Sequence, residues 1–346
     1  MARRIEILNP IETRSWDDWV TGQADGGFFH SSWWAEVLRR CYGFPLRYFA
    51  QLEGGRPAGV IAIAEVESRL TGRRGVGLPF TDYCPPLAES PSALAELRST
   101  LIEHGRQVGW RYLEVRGDLR LGDAAPSACH FHRHVLDLDR RGEAVFASFK
   151  DATRRSIRKA EREGVECEIS GSPEALWAFH RMFCTTRRRH GLPPPPRRFF
   201  RTLYELVIAP GHGRVALARY RGRAVAGAVF ARFGEKALYK YGGSDPVYQH
   251  VRAVNLLFWE AIRFYQEAGC RTLCFGRTEP FNEGLRRFKL GWGTREERLD
   301  YYRYDFGRDA FVEAPLAFRG WHNAVFSRLP MPLLELAGAA LYRHVA

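Results

Sequence analysis

The chain lacks the sequence signals of several large protein classes. No apolar run reaches about 18 residues, so no membrane-spanning helix is predicted. The opening residues, "MARRIEILNP", lack the apolar core of a signal peptide. The seven cysteines are scattered without a CxxC pair, which is typical of reduced thiols in a cytosolic protein. We therefore expect a cytoplasmic protein, with the inner face of the membrane as an alternative location.

Common catalytic and metal-binding motifs are missing as well. There is no GxxxxGKS/T loop, no HExxH helix and no GxSxG elbow, which argues against a P-loop enzyme, a zinc protease and a serine hydrolase. The eleven histidines show no convincing ligand spacing. His130, His132 and His134 alternate along a predicted strand and are expected to form a polar sheet face. We expect neither a metal nor a cofactor.

Apolar and basic residues are abundant. Hydrophobic residues make up 45% of the 346 positions, which is ample for one large domain or two of ordinary size. The 52 lysines and arginines outnumber the 39 acidic residues, so the formal net charge is +13. This balance favours an anionic partner such as nucleic acid, a phosphorylated carrier or an anionic membrane surface.

Two parts of the sequence follow the same plan. "GGRPAGVIAIAE" from Gly54 and "GRAVAGAVFARF" from Gly222 each predict the turn and second strand of a hairpin. Each is followed by an amphipathic helix that ends at a glycine, Gly109 or Gly269, and then by a strand. The repeated order of hairpin, helix and strand predicts two α/β subdomains of the same kind.

A basic helix is predicted between the two repeats, in "FKDATRRSIRKAEREGVECEIS". Its apolar face consists of Phe149, Thr153, Ile157 and Ala160. Its other faces are basic and carry Arg154, Arg155, Arg158, Lys159 and Arg162. Such a face is either a solvated surface or a groove for phosphates.

A second basic cluster, Arg187–Arg189, ends the next predicted helix, before Gly191 and four prolines. Cations at a helix C-terminus interact favourably with the helix dipole, although three in a row exceed what capping requires. The stretch "GLRRFKLGWG", from Gly284, places Lys289 immediately before a tight turn. This lysine is either a solvated helix-end charge or the cation of an active site.

These segments together resemble a known family. The resemblance is carried by "FFHSSWWAEVLRRCYG", "LPFTDYCPPL", "TRRSIRKAEREGV", "TTRRRHGLPPPP", "YKYGGSDPVY" and "FGRTEPFNEGLRRFKLGWG". In order and spacing they are similar to the Fem (FemABX) family of peptidoglycan-bridge aminoacyltransferases, over about residues 25 to 305.

The resemblance implies an α/β (α+β) fold made of a tandem pair of GNAT-like acyltransferase subdomains, each a mixed twisted sheet flanked by helices. We place them at residues 1–140 and 141–310, followed by a helical tail at 311–346. It also implies transfer of an aminoacyl group from aminoacyl-tRNA to a primary amine of a peptidoglycan precursor or cell-envelope polysaccharide. The partners implied are aminoacyl-tRNA and a phosphorylated or lipid-linked precursor, and no metal is needed.

The resemblance also implies roles for particular residues. The family's Phe-Lys pair matches Phe288 and Lys289, where the lysine contacts the donor end of the tRNA or stabilises the developing oxyanion. The family's acceptor-phosphate lysine has no match, because Leu38 stands there. Arg39 and Arg40, which follow it, are the candidates for binding the acceptor substrate.

Further matched residues are expected around the substrates. Arg188 or Arg189 matches the arginine suited to a diphosphate. Asp82 and Tyr83 either line the acceptor cleft or are buried strand ends. Tyr239 and Tyr241 are expected on one face of a strand ending at a Gly242–Gly243 turn, as core aromatics or with one donating to the reacting carbonyl.

Two alternatives remain open at this point. An acyl-CoA-dependent N-acyltransferase needs a Gly-rich turn at a helix N-terminus, and the corresponding stretch "YQHVRAVN" contains no glycine. Gln249, His250 and Arg252 could bind phosphate there through side chains. A nonenzymatic RNA- or membrane-surface-binding protein would also account for the charge.

Overall fold

The computed structural model describes residues 4–69, 71–121, 125–139, 142–314 and 320–344. The chain forms two compact units. Unit 1 comprises Met1–Phe131, Arg298–Ala317 and Ala340–Ala346, and unit 2 comprises His132–Glu297 and Phe318–Ala339. The boundary that the sequence predicts between residues 140 and 141 lies outside the described residues, and the predicted division into three segments stays a prediction.

The strands and helices follow one another in a mixed order. The strands are β1 Arg4–Leu8, β2 Leu46–Glu53, β3 Arg56–Ser68, β4 Gly72–Val76, β5 Leu87–Ala88, β6 Tyr112–Arg116, β7 Cys129–Asp137, β8 Val165–Ser170, β9 Gly213–Tyr220, β10 Arg223–Phe233, β11 Lys236–Ser244, β12 Thr272–Thr278, β13 Arg295–Asp305 and β14 Ala310–Phe311. The α-helices are α1 Trp16–Thr21, α2 Ser32–Tyr42, α3 Pro91–Gln107, α4 Glu143–Ser148, α5 Asp151–Arg162, α6 Pro173–Arg189, α7 Arg197–Leu203, α8 Ala253–Glu267, α9 Glu283–Leu290, α10 Trp321–Arg328 and α11 Met331–Leu341.

Unit 1 is organised around a mixed sheet. Strands β1 to β4 pair antiparallel in sequence order, β4 then pairs parallel with β6, and β6 pairs antiparallel with β13. Helix α3 connects β4 to β6, by way of β5, and packs on β2 and β3. Its leucines Leu94, Leu97 and Leu101 are buried in a core with Phe49 and Trp110.

Unit 2 repeats this topology. Strands β8 to β11 pair antiparallel in sequence order, β11 pairs parallel with β12, and β12 pairs antiparallel with β7. Helix α8 makes the parallel connection, and it packs on α5 and on β8 to β10. Helix α6 packs on β9, β10 and β11. The predicted tandem pair of α/β subdomains is therefore confirmed.

The last strand of each sheet comes from an unexpected part of the sequence. Strand β7 follows β6 along the chain but pairs with β12 of unit 2, and β13 follows β12 but pairs with β6 of unit 1. Neither repeat therefore completes its sheet from its own stretch of sequence. The sequence analysis did not predict this exchange, because the hairpin, helix and strand signals end before it.

The local predictions agree well with the structure. Gly109 and Gly269 end their helices at φ of 73° and 81°, in the left-handed region that favours glycine. In α5, Thr153, Ile157 and Ala160 are buried, as the predicted apolar face requires. Within the described residues, every helix is too short or too polar to span a lipid bilayer.

Candidate functional site

The parallel strands β11 and β12 of unit 2 separate before either of them ends. Lys236–Leu238 pair with Thr272–Cys274, after which β11 follows β10 as far as Ser244, and β12 pairs with β7 at Arg277 and Thr278. This opening lies at the carboxyl ends of two parallel strands. Ligands of open α/β sheets bind at such ends, so we take the opening as the candidate site of unit 2.

Lys289 is buried at the edge of this opening. Its Nζ donates to the carbonyl oxygens of Gly276 at 3.0 Å and Arg277 at 2.9 Å, and the residue is only 2% exposed. Gly276 has a φ of 69°, and the β7–β12 register shifts between Cys274 and Arg277. The ammonium thus satisfies two carbonyls of an irregular strand, and the alternative of a solvated helix-end charge is wrong.

Aromatic packing next to Lys289 fixes the orientation of helix α9. The ring of Phe288 meets Phe258 at 5.5 Å and Trp292 at 6.1 Å, and Trp292 is fully buried against Phe149. At Gly293, φ is 69° and an added Cβ would lie 2.8 Å from the backbone oxygen of Ser148. The tight turn that follows Lys289 therefore requires glycine and anchors the end of α9 in the core.

A buried histidine on β7 extends the network around Lys289. His134 is fully buried, with Nε2 3.0 Å from a Glu296 carboxylate oxygen and Nδ1 3.4 Å from the Thr278 hydroxyl. Burial and the nearby Lys289 charge lower the pKa of His134 to about 4, so the ring is neutral at pH 7. A carboxylate only accepts hydrogen bonds, so Nε2 carries the proton and Nδ1 accepts from Thr278.

Glu296 is held as a carboxylate in this network. Arg286 donates to both of its oxygens at 2.7 Å, and these bonds lower the pKa of Glu296 to about 2. His132 lies 3.6 Å from the same carboxylate. The predicted polar face of β7 is therefore a partnered network, and the sequence analysis missed Glu296, Arg286 and Thr278 as its members.

Acid should destabilise the protein well above the pH at which carboxylates titrate. The pKa values of His134 and of the buried His180 are both lowered to about 4 by burial, so between pH 6.5 and 4 the unfolded state binds protons that the folded state does not. The free energy of unfolding therefore falls as the pH drops through this range, by up to about 3 kcal/mol per histidine. Urea unfolding from pH 7 to 4 measures the slope.

A matched pair of variants isolates the contribution of His134. We expect the free energy of unfolding to depend less steeply on pH in His134→Gln than in the wild type. His250→Gln should keep the wild-type dependence, because His250 is exposed. Identical slopes for all three proteins would contradict the assignment.

Tyr239 and Tyr241 do not share a face of the sheet. The register of β10 and β11 shifts at a bulge, because the adjacent residues Val229 and Phe230 face Tyr241 and Tyr239. Tyr239 packs on Phe258 of α8, whereas Tyr241 packs on Phe183 of α6. The predicted common face is therefore wrong, because the bulge breaks the two-residue alternation. The predicted Gly242–Gly243 turn is also wrong, since β11 continues to Ser244.

In unit 1, the loop after β4 has a strained and tightly held backbone. Leu78 and Phe80 adopt φ of 41° and 61°, which is rare for residues with a side chain. Side chains from α2 and β13 hold this loop. Trp34 of α2 donates its indole proton to the Thr81 hydroxyl at 3.1 Å, and the Tyr301 hydroxyl of β13 donates to the backbone oxygen of Asp82 at 2.6 Å. Backbone strain of this kind concentrates at functional sites, so the loop is the candidate site of unit 1.

Arg116 is the central support of this loop. Its Nη1 donates to the carbonyl oxygens of Leu78 and Thr81, and its Nε donates to Glu114 at 3.2 Å. Burial alone would raise the pKa of Glu114, but Arg116 and Arg303 outweigh it and hold the pKa below its ordinary value. The sequence analysis missed Arg116. In the sequence it is only a charged residue at the end of a predicted strand, and nothing else there indicates a role.

The predicted acceptor residues of unit 1 occupy different environments. Asp82 and Tyr83 are half-buried in the loop, with the Tyr83 hydroxyl 3.5 Å from Asp25. Arg39 and Arg40 are exposed on α2, and both donate at 2.6 Å to Glu36, whose pKa is lowered chiefly by the bonds from Arg39. One carboxylate against two guanidinium groups leaves this end of α2 positively charged.

The predicted phosphate-binding cations lie on the surface of unit 2. On α5, Arg154 pairs with Asp151 and Arg158 lies 5.6 Å over the Phe146 ring. Five further basic side chains make no hydrogen bond or ion pair within the described residues. They are those of Arg155, Lys159, Arg188, Arg189 and Arg252. These cations are available to an anionic ligand.

The turn that leads into α8 differs from a glycine-rich phosphate loop. A short 3-10 turn, Pro246–Val251, precedes Arg252, which adopts a left-handed φ of 59° at the N-cap. In the part of the chain that the structure describes, no side chain caps the helix there. The structure thus places a cation at this helix start in a conformation that glycine would adopt more easily.

The repeated topology and the opened parallel strands are similar to those of GNAT-like acyltransferases. Residues 147–303 match the family of acetyltransferase (GNAT) domains. A UDP-N-acetylmuramoylpentapeptide-lysine N(6)-alanyltransferase of Weissella viridescens is 27% identical over 153 residues. That match covers 43% of this chain and 43% of the relative, so less than half of the relative's length is compared.

Solved structures extend the similarity over most of the chain. The crystal structure of FemX has a TM-score of 0.67 at 16% identity, and the alignment covers 87% of this chain and 97% of FemX. A tandem GNAT protein from the clavulanic acid biosynthesis pathway has a TM-score of 0.54 at 12% identity, covering 88% and 98%. These structural similarities confirm the predicted tandem GNAT-like fold. The chain resembles the Fem family in this fold and in the local match to the Weissella alanyltransferase.

Proposed function

We propose that the protein transfers an aminoacyl group from aminoacyl-tRNA to a primary amine of a peptidoglycan precursor or cell-envelope polysaccharide. The observation that carries the proposal is the local similarity to the Weissella alanyltransferase, within a fold that aligns with FemX over 87% of the chain. The name of that relative specifies transfer of alanine to the lysine N6 of a UDP-linked muramoyl pentapeptide.

In this proposal the reaction is an aminolysis of an ester. The acceptor nitrogen attacks the ester carbonyl and forms a C–N bond, and the resulting oxyanion collapses with cleavage of the C–O bond to the tRNA ribose. The amine proton is transferred to the leaving ribose oxygen, which thereby becomes a hydroxyl. The positive charge of Lys289, beside the opened strands β11 and β12, favours the negative charge that develops on the oxyanion.

In this proposal the basic face of α5 binds the phosphates of the donor, aminoacyl-tRNA. Arg155, Arg158 and Lys159 lie on one short helix whose opposite face is buried, and no carboxylate pairs with these three side chains in the described chain. Phosphate contacts of this kind depend on salt, because binding releases counterions from the nucleic acid. We therefore expect the KM for aminoacyl-tRNA to rise with ionic strength.

The experiment compares donors and matched variants. Purified protein is mixed with a muramoyl pentapeptide acceptor and with radiolabelled aminoacyl-tRNA or acetyl-CoA, and amide formation is followed. Arg155→Glu/Arg158→Glu should lower kcat/KM for tRNA roughly tenfold or more, whereas the exposed Arg201→Glu on α7 should change it little.

The second candidate is an acyl-CoA-dependent N-acyltransferase. The observation in its favour is the match of residues 147–303 to acetyltransferase domains. Turnover with acetyl-CoA alone would establish it, and the α5 variant would then keep its activity. Binding of tRNA without turnover of either donor would instead support a nonenzymatic RNA-binding protein.

A further inference from the structure

Helices α6 and α11 of unit 2 bring together three side chains that commonly bind metals. His180 and Cys184 lie one turn apart on α6 and are 3% and 2% exposed. Glu335 approaches them from α11. One nitrogen, one sulfur and one carboxylate oxygen from these residues lie within 4.8 Å of one another.

The spacing of the two α6 atoms fits a tetrahedral metal. The Cys184 Sγ lies 3.5 Å from the His180 Nε2. With Zn–S of about 2.3 Å and Zn–N of about 2.0–2.1 Å, a tetrahedral zinc ion separates its sulfur and nitrogen ligands by about 3.5–3.6 Å. These two ligands therefore have the separation that zinc requires. The Glu335 oxygen lies within 4.8 Å of both and must move closer to complete the set.

A cavity lies against these three side chains. Its volume is about 370 Å³, and besides the three residues its lining includes Trp177, Arg197 and Met331. A metal held by three protein ligands keeps a fourth position for water or another small ligand, and the cavity supplies the space for it.

The protonation states set the conditions for binding. Burial, with the charges of Arg197 and Arg181, lowers the pKa of His180 to about 4, so its ring is neutral at pH 7 and has a lone pair to offer. Burial and the neighbouring Glu335 raise the pKa of the Cys184 thiol to about 12. A metal must therefore displace the thiol proton, so its affinity should increase with pH.

We propose that His180, Cys184 and Glu335 form a binding site for a zinc-type divalent cation, with the fourth position open to the cavity. A nitrogen and a sulfur ligand favour Zn²⁺ over Mg²⁺ or Ca²⁺, which prefer oxygen ligands. The thiolate and the carboxylate together balance the charge of the ion, so the site stays neutral beside Arg181 and Arg197. The ion fastens the C-terminal helix α11 to α6.

The test uses the full-length protein after removal of bound metal with a chelator. Titration with ZnCl₂ should show one equivalent bound and a rise in the unfolding temperature, whereas CaCl₂ should show neither. Titration with CoCl₂ should produce the charge-transfer absorption of a cobalt–thiolate bond. Cys184→Ser should abolish this absorption, and Glu335→Gln should weaken zinc binding at least tenfold.

Matched controls separate this site from adventitious binding. Cys274→Ser and His250→Gln remove a half-buried cysteine and an exposed histidine elsewhere, and both should bind zinc as the wild type does. If Cys184→Ser fails to fold, Glu335→Gln decides, because Glu335 is partly exposed and tolerates substitution better. Absence of stoichiometric zinc binding, or equal binding by wild type and Glu335→Gln, would overturn the proposal.

Discussion

Lys289→Met is expected to lower the free energy of unfolding by about 3 kcal/mol, because two buried carbonyl oxygens lose their donor. The methionine keeps the length of the side chain but cannot donate a hydrogen bond. In the wild type, Lys289 donates to the carbonyl oxygens of Gly276 and Arg277 at 3.0 and 2.9 Å. Chemical denaturation of the two proteins under identical conditions measures the difference.

The same variant should alter the titration of a neighbouring histidine. The Lys289 charge helps to lower the pKa of His134, so its removal should raise that pKa toward the ordinary value. NMR titration of the imidazole detects this shift. Arg287→Met on the same helix, where the side chain is exposed, should change neither stability nor titration appreciably. Full stability and full aminoacyl transfer by Lys289→Met would remove both the structural and the proposed catalytic role.

Arg116→Met should destabilise the protein even more, by about 3–5 kcal/mol, because it breaks an ion pair whose side chains are only 12% and 16% exposed and leaves one partner in place. The substitution removes the donors to Leu78 and Thr81 and leaves the half-buried Glu114 with Arg303 alone. Urea unfolding measures the loss. With the strained loop released, we also expect a higher KM for the amine acceptor of the proposed reaction.

A double-mutant cycle identifies the cause of this loss. If the loss of Arg116 from the Glu114 carboxylate accounts for most of the cost, Glu114→Gln combined with Arg116→Met should be more stable than Arg116→Met alone. The exposed Arg73, which pairs with Glu67, provides the surface comparison, and Arg73→Met should cost less than about 1 kcal/mol. Equal losses for Arg73→Met and Arg116→Met would contradict the role assigned to the loop support.

The repeated architecture was predictable because its signals are local. The turns at Gly54 and Gly222, and the helix ends at Gly109 and Gly269, depend on a few neighbouring residues and on the conformations that glycine allows. The apolar face of α5 follows from helical periodicity alone. Such signals can be recognised in the sequence without knowledge of the tertiary structure.

The sites were harder to predict because they depend on tertiary contacts. The bulge at Lys240 places Tyr239 and Tyr241 on opposite faces of the sheet. The alternation of residue types along the sequence gives no sign of this bulge. Nothing local distinguishes the buried Lys289 from a solvated lysine at a helix end. The pair His180 and Cys184 shows helical spacing, but Glu335, its partner, lies far along the chain.

The exchanged strands have a consequence for the protein during its synthesis. Strand β6 has emerged from the ribosome long before β13, its neighbour on one side, because almost 180 residues separate Arg116 from Arg295. Throughout that interval one edge of the nascent sheet has unpaired backbone groups, which can associate with other chains. The N-terminal sheet reaches its full width only after β13 has been synthesised, so a ribosome stalled between β6 and β13 carries an aggregation-prone intermediate.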